Sequence, residues 1–145
     1  MKFKQRPINF RVWCVPAKAY CQNYKYHGKI SKLIDKELEI WEQYTGIKDK
    51  KGKKVFEGDF VEFDYPCVES GSSSSRKLIG LVRWSKANCG FELLCGEIEV
   101  NNGRFCMGYC EIGKVIGSIL ETSRLIYVSA EYYNEYMSAL NSNII

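Results

Sequence analysis

The most distinctive chemical feature of this sequence is a cluster of lysines within seven residues, Lys48, Lys50, Lys51, Lys53 and Lys54. Ammonium groups on a turn contact the phosphates of a polyanion, and the neighbouring Tyr44 offers an aromatic face for stacking on a base. A charged turn is also the ordinary way to keep a chain reversal soluble, and Asp49 stands inside the run. The cluster therefore predicts either a nucleic-acid contact or a solvated turn, and the solvated turn is favoured.

Two pairs of carboxylates follow the lysines at alternate positions, Glu57 with Asp59 and Glu62 with Asp64. Alternate residues of a strand point to the same side, so either pair could hold a divalent cation for hydrolytic chemistry. The alternative is that Glu57-Gly58-Asp59 forms a turn and that Glu62 and Asp64 lie on a solvated face. We favour this alternative, which makes a metal-dependent enzyme a remote hypothesis.

Seven cysteines are scattered along the chain, and His27 is the sole histidine. Four of the cysteines, Cys89, Cys95, Cys106 and Cys110, fall in the second half, but their spacing contains no Cys-x-x-Cys pair of the kind that holds zinc. The sequence therefore predicts reduced thiols that pack as small apolar side chains, with no metal, cofactor or catalytic Cys-His pair.

The length and composition indicate one globular domain spanning residues 1–145. The apolar share is 46%, which is enough for a hydrophobic core, and the net charge of +4 permits a polyanionic partner without requiring one. Neither a membrane-spanning apolar run nor a secretion signal is evident, so we expect a cytoplasmic protein.

Alternating apolar and polar residues predict a series of short strands. The predicted strands cover residues 7–15, part of 18–29, about 37–44, 60–65, 78–84, 91–95, 97–100 and 115–119, with an Asn-Gly hairpin at 101–105. Residues 30–44 fit both a helix and a strand, and we divide them near Lys36, with a helix before it. The Ser-rich segment 69–76 has nothing to bury and predicts a mobile loop. Such a pattern is typical of a mainly β barrel or roll.

A C-terminal helix is predicted over residues 129–141, because Ser129 is a suitable N-cap and apolar residues recur at helical spacing. Its stripe consists of Tyr132, Tyr133, Tyr136, Met137 and Leu140. The stripe is too apolar to remain in water, so it covers either the barrel or a second copy. We favour self-association, which makes a homo-oligomer the expected state.

Four segments of the sequence carry a family resemblance: QYTGIKDKKGKKVFEGDFV at residues 43–61, together with Asn9–Trp13, Gly80–Trp84 and Val115–Glu121. The first is similar to the central motif of the YopX family of small phage and prophage proteins, and the other three are similar to its other motifs in the same order. Ser118 stands where the family usually has Asn. The resemblance covers residues 8–126 and implies an SH3-like barrel without established catalytic residues.

The function predicted from these observations and from the resemblance is that of a non-enzymatic phage- or prophage-encoded accessory or protein-interaction protein in the cytoplasm of the bacterial host cell, with a host or phage protein as its expected partner. The alternative is a nucleic-acid-binding module that uses the basic hairpin at residues 48–54.

Overall fold

The computed structural model describes residues 8–21, 39–69, 71–95 and 103–121, together with residue 138. These residues form nine strands and one short helix. In chain order they are β1 (Phe10–Cys14), β2 (Ala19–Tyr20), β3 (Glu39–Lys48), β4 (Lys54–Phe56), β5 (Asp59–Glu69), β6 (Ser72–Ser85), β7 (Gly90–Leu94), β8 (Arg104–Phe105), α1 (Gly108–Ile112) and β9 (Lys114–Ser118).

The strands form two antiparallel sheets. The first has the order β2-β1-β3-β4 and the second has the order β8-β7-β6-β5-β9. The predicted mainly β class is therefore confirmed. The described residues contain no helix with the length and hydrophobicity of a membrane span.

The core lies where apolar strand residues of the second sheet meet α1 and β4. Its fully buried side chains include Val55, Val61, Val82, Leu93 and Cys110. An aromatic group extends it, in which the rings of Phe63, Phe105 and Tyr109 contact one another at centroid distances of 5.0 to 5.8 Å. The alternation that predicted these strands reflects this one-sided burial.

The prediction of a loop over residues 69–76 is wrong for the described residues, which are mostly in strands. β5 and β6 continue as a two-stranded ribbon in which Glu69 pairs with Ser72 and Pro66 pairs with Ser75. Gly71 supplies the positive φ of 82° at the reversal. Backbone hydrogen bonds sustain such a ladder without apolar side chains, so the absence of residues to bury did not prevent strand formation.

Several predicted elements can be compared directly with the described strands. β1, β3, β7 and β9 confirm the predicted strands at 7–15, 37–44, 91–95 and 115–119, with small shifts at their ends. The sequence did not predict α1, because five residues are too few to show helical periodicity. The predicted helix before Lys36, the strand at 97–100 and the C-terminal helix at 129–141 lie outside the described residues, apart from residue 138.

Gly113, between α1 and β9, has no room for a side chain. A Cβ atom there would lie 2.8 Å from the Glu62 carbonyl oxygen and 2.9 Å from the Tyr109 carbonyl oxygen. We expect Gly113→Ala to lower the free energy of unfolding by about 1–3 kcal/mol, because backbone atoms must move to admit the methyl group. Gly90→Ala is the control, since its Cβ would meet nothing closer than 3.7 Å. Equal urea midpoints for the two variants would contradict this reading of the α1–β9 junction.

Candidate functional site

The basic cluster forms the turn between β3 and β4. Lys48 pairs with Lys54 at the base of this turn, and Gly52 adopts a φ of 80° at its tip. All five lysine side chains, Lys48, Lys50, Lys51, Lys53 and Lys54, are exposed. We refer to residues 48–54 as the basic turn.

Asp49 holds the basic turn in one conformation. Its Oδ1 accepts hydrogen bonds from the backbone N–H groups of Lys51 and Lys53, both at 2.9 Å, and its Oδ2 accepts one from the N–H of Val115 at 3.0 Å. The N–H of Lys50 donates to the Gly113 carbonyl at 3.0 Å. The turn is therefore bound both to itself and to β9.

The carboxylate of Asp49 is committed to these backbone donors. Asp49 is only 6% exposed, and burial alone would raise the pKa of its carboxyl group. The hydrogen bonds from the backbone N–H groups of Val115, Lys53 and Lys51 outweigh burial and lower this pKa. Asp49 is thus ionised at neutral pH while both of its oxygens are occupied. Within the described ranges, none of the five lysines forms an ion pair, so their ammonium groups remain available to an external anion.

Tyr44 does not have the role that the sequence predicted for it. Its side chain is 5% exposed, and its ring packs on Phe56 with a centroid distance of 5.6 Å. Lys54 Nζ lies 5.4 Å from the ring centroid. Tyr44 points inward because it is on the buried side of β3, so it presents no open face to a base.

A buried ionic network lies behind the β4 end of this hairpin. Arg11 Nε donates to Glu42 Oε2 at 2.6 Å, and Arg11 Nη1 forms an ion pair with Asp59 Oδ1 at 2.7 Å. Both carboxylates are essentially inaccessible, with exposed fractions of 0% for Glu42 and 1% for Asp59. Asp59 Oδ2 also accepts the backbone N–H of Phe56 at 2.8 Å. One guanidinium thus joins β1, β3 and β5.

The network continues through hydroxyl groups to the surface. The Tyr20 hydroxyl donates to Glu42 Oε2 at 2.7 Å and lies 2.8 Å from Ser118 Oγ. Ser118 Oγ in turn accepts the backbone N–H of Glu121 at 3.2 Å. Tyr20 and Glu121 line a groove of about 500 Å³ with Trp13, Lys18 and Ala19. The hydroxyls therefore connect β2 and β9 to the buried ion pair.

Burial dominates the ionisation of these groups. It raises the pKa of Glu42 to about 7, against the opposing effects of Arg11 and Tyr20. Burial also raises the pKa of Asp59 and of the Tyr20 hydroxyl. For Arg11, burial lowers the pKa, but the charges of Glu42 and Asp59 outweigh it and raise the pKa overall. The cluster holds two acids for one permanent cation, and burial raises the pKa of both acids.

Two of the carboxylates considered for metal chemistry already have cationic partners. Asp59 is paired with Arg11, whereas Glu62 Oε1 accepts a hydrogen bond from Lys77 Nζ at 3.2 Å on the surface. Cys95 and Cys110 are buried, which raises each thiol pKa to about 12, whereas Cys89 and Cys106 are exposed. In the part of the chain that the structure describes, no three His, Cys, Asp or Glu side chains form a metal-binding group.

The sequence did not reveal Arg11, Tyr20, Glu42 and Ser118 as one cluster. The available signal was that β1 and β3 each carry a charged residue within an otherwise apolar pattern. These residues, Arg11 and Glu42, are register partners in the first sheet. The residues proposed for self-association, from Tyr132 to Leu140, lie outside the described residues.

We expect Asp49→Asn to destabilise the protein by about 1–3 kcal/mol at pH 7. The amide NH2 of Asn is itself a donor, so at least one backbone N–H group that now donates to Asp49 would lose its acceptor. Because the pKa of Asp49 is lower in the folded than in the unfolded protein, its ionised carboxylate contributes fully to the free energy of unfolding at pH values above the unfolded pKa of about 3.9. This contribution is lost as the pH falls through the folded pKa. The difference in unfolding free energy between wild type and variant should therefore narrow in acid. Asp64→Asn, at an exposed position of β5, is the control. A pH-independent difference would contradict the role given to the ionised carboxylate.

Glu42→Gln should change how stability depends on pH. Because the folded pKa of Glu42 is raised to about 7, its protonated form stabilises the fold fully below the unfolded pKa of about 4.3, and this contribution is lost as the pH rises through 7. Urea unfolding between pH 5 and 8 should show falling stability for the wild type and a smaller slope for the variant. Glu92→Gln, which removes another buried glutamate paired with arginine, should retain the wild-type slope. An unchanged slope in Glu42→Gln would show that Glu42 stays ionised throughout.

Comparison with known proteins adds evidence on ancestry. The family model described as YopX protein matches residues 14–127. Among solved structures, the crystal structure of protein EF1440 from Enterococcus faecalis is similar, with 20% sequence identity and a TM-score of 0.55, over 84% of this chain and 99% of that chain. At this identity the likeness concerns the fold alone. No curated protein matches the chain.

Family-like motifs contribute residues to the buried ionic network described above. Arg11 lies just before the matched region and binds Asp59, which belongs to the central motif, while Ser118 belongs to the closing motif. These motifs are distant in sequence and meet in one network. Because the family model covers most of its length, the chain belongs to the YopX family.

Proposed function

We propose that this protein is a non-enzymatic accessory protein that binds nucleic acid through the basic turn. The observation that carries the proposal is the availability of five exposed lysine ammonium groups on a turn whose one acid, Asp49, is occupied by backbone donors. The sequence favoured a solvated turn partly because Asp49 stood among the lysines. The Asp49 carboxylate accepts backbone N–H groups and forms no ion pair with the lysine ammonium groups of the described turn, which weakens that objection.

The chemistry of the turn defines the kind of contact. Lysine ammonium groups act as point charges for phosphate oxygens and do not read base edges. With Tyr44 buried, the turn lacks the stacking face that single-strand binders use. Binding through the turn would therefore depend on phosphate charge and would be largely independent of sequence. The clamp by Asp49 keeps the backbone of the turn ordered before binding, which reduces the entropy lost on association.

The non-enzymatic part of the proposal is supported by the partners of Asp59, one of the candidate metal ligands. Asp59 binds Arg11 and the N–H of Phe56, so a metal ion would have to displace an existing buried ion pair. We also propose that the two sheets together form an SH3-like barrel. A phage or prophage origin, a cytoplasmic location and self-association through the segment 129–141 complete the proposal, and they rest on the YopX resemblance and the apolar stripe described above.

The salt dependence of nucleic-acid binding tests the proposal. Each phosphate neutralised by a lysine releases counterions, so the logarithm of the affinity for a duplex oligonucleotide should fall with the logarithm of salt concentration by about 0.9 per contact. The quadruple change of Lys50, Lys51, Lys53 and Lys54 to Gln removes four charges from the turn. Fluorescence anisotropy at several salt concentrations should show weaker binding at low salt and a flatter slope.

The control variant removes the same charge elsewhere on the surface. Arg76, Lys77, Lys86 and Arg104 are exposed and lie outside the turn, so their combined change to Gln should alter the slope less than the turn variant does. Absence of binding by the wild type at 50 mM salt would refute the nucleic-acid proposal and would favour a protein partner. Equal losses in both variants would show that net charge is responsible and that the turn has no special role.

A further inference from the structure

The β5–β6 ribbon extends beyond the rest of its sheet. β9 pairs with β5 only over Asp59–Glu62, and β7 pairs with β6 only over Leu81–Ser85. Past these limits β5 and β6 pair with each other alone among the residues that the structure describes, as far as Glu69 and Ser72. We call residues 66–69 and 72–75 the serine ribbon. The described side chains of its β6 strand, at Ser73, Ser74 and Ser75, are exposed, so this strand adds little to the core.

The register shows which backbone groups of the ribbon face outward. Only residues 70 and 71 separate Glu69 from Ser72, and a two-residue hairpin loop is closed by a hydrogen-bonded pair. Hydrogen-bonded pairs alternate along an antiparallel ladder, so Ser74 bonds inward to β5, while the N–H and C=O groups of Ser73 and Ser75 point away from β5. The position of Pro66 opposite Ser75 agrees, because a strand proline directs its missing N–H to the open edge.

The two edges of the ribbon differ in how well they are protected against pairing with a further strand. On the β5 edge, Pro66 removes one outward donor, which is a common means of blocking edge pairing. The β6 edge has neither proline nor charge from Ser72 to Ser75, and its side chains are small. An extended segment can approach this edge closely and pair with the outward groups of Ser73 and Ser75.

Charge selects the occupant of this edge. β6 contains no acidic residue from Ser72 to Ser85, and it carries two exposed cations immediately beside the serines. Lys77 is paired with Glu62 of β5, whereas Arg76 forms no ion pair among the described residues and is the cation offered to an added strand. A second copy of the same strand would bring only further positive charge. We propose that the β6 edge of the serine ribbon binds an extended acidic peptide segment of a partner protein by strand addition, independently of the basic turn.

Backbone amide exchange and peptide titration test this proposal on the full-length protein. The probe is an acetylated octapeptide, Thr-Glu-Val-Glu-Val-Glu-Val-Thr, and the matched probe replaces each Glu with Lys. In the free protein the amides of Ser73 and Ser75 should exchange faster than that of Ser74. The acidic peptide should slow exchange at Ser73 and Ser75 and shift their amide resonances, whereas the basic peptide should bind at least about tenfold more weakly.

Two variants separate edge pairing from charge. Ser75→Pro removes an outward donor without touching the β5 ladder and should weaken binding of the acidic peptide about fivefold to tenfold, whereas Ser75→Ala keeps the N–H and should bind normally. Arg76→Glu should reduce the preference for the acidic peptide and leaves the ribbon backbone unchanged, so it remains informative if Ser75→Pro disturbs the ribbon.

Three results would overturn the proposal. The first is no change at Ser73 and Ser75 up to millimolar acidic peptide, and the second is equal binding of both peptides. The third is slowing of exchange that depends on protein concentration without any peptide, which would identify a second copy as the occupant. The lysine variant of the basic turn should bind the acidic peptide like the wild type, so failure of either proposal can be recognised separately.

Discussion

The ion pairs of Arg11 are the interaction on which the rest of the structure depends. Two carboxyl groups, Glu42 and Asp59, are almost completely buried, and the ionised form of each would be strongly unfavourable there without a compensating cation. Arg11 supplies that cation from β1 and binds both. Since Glu42 belongs to the first sheet and Asp59 to the second, the requirement for charge compensation also fixes the position of one sheet against the other. The Tyr20 and Ser118 hydroxyls extend this bond to β2 and β9.

Asp49 repeats the same principle at the other end of β9. A buried carboxylate is satisfied there by three backbone N–H groups, and the acid itself becomes the support of a turn that carries only exposed cations. Acids that looked like candidate metal ligands or neutralising charges thus serve to position the backbone. Among the described residues, the lysines of the basic turn form no ion pair and the β6 strand of the serine ribbon pairs with β5 alone, and we propose both surfaces as binding sites.

The described strands show how far the sequence predicts the fold. Alternation identified β1, β5, β7 and β9 because each buries one face, which leaves a period of two in the sequence. The serine ribbon failed this test because its strands are held by backbone hydrogen bonds that leave no side-chain pattern. Of the candidate site, the lysines were identified correctly as an exposed group, whereas Tyr44 was misjudged because an aromatic residue beside a turn does not reveal which face of its strand is buried.

The sequence by itself determined the mainly β class, the position of the basic turn and the membership of the YopX family, since each depends on local pattern or on motif order. Only the tertiary structure decided that Arg11, Glu42, Asp59 and Ser118 form one network, and that Asp49 is withdrawn from the lysines. These contacts, with Tyr20 as the link between Glu42 and Ser118, join residues that are 22 to 98 positions apart in the network, and 66 positions separate Asp49 from Val115. Local sequence carries no record of such pairings, because the chain brings them together only when the two sheets pack and their buried charges must find partners.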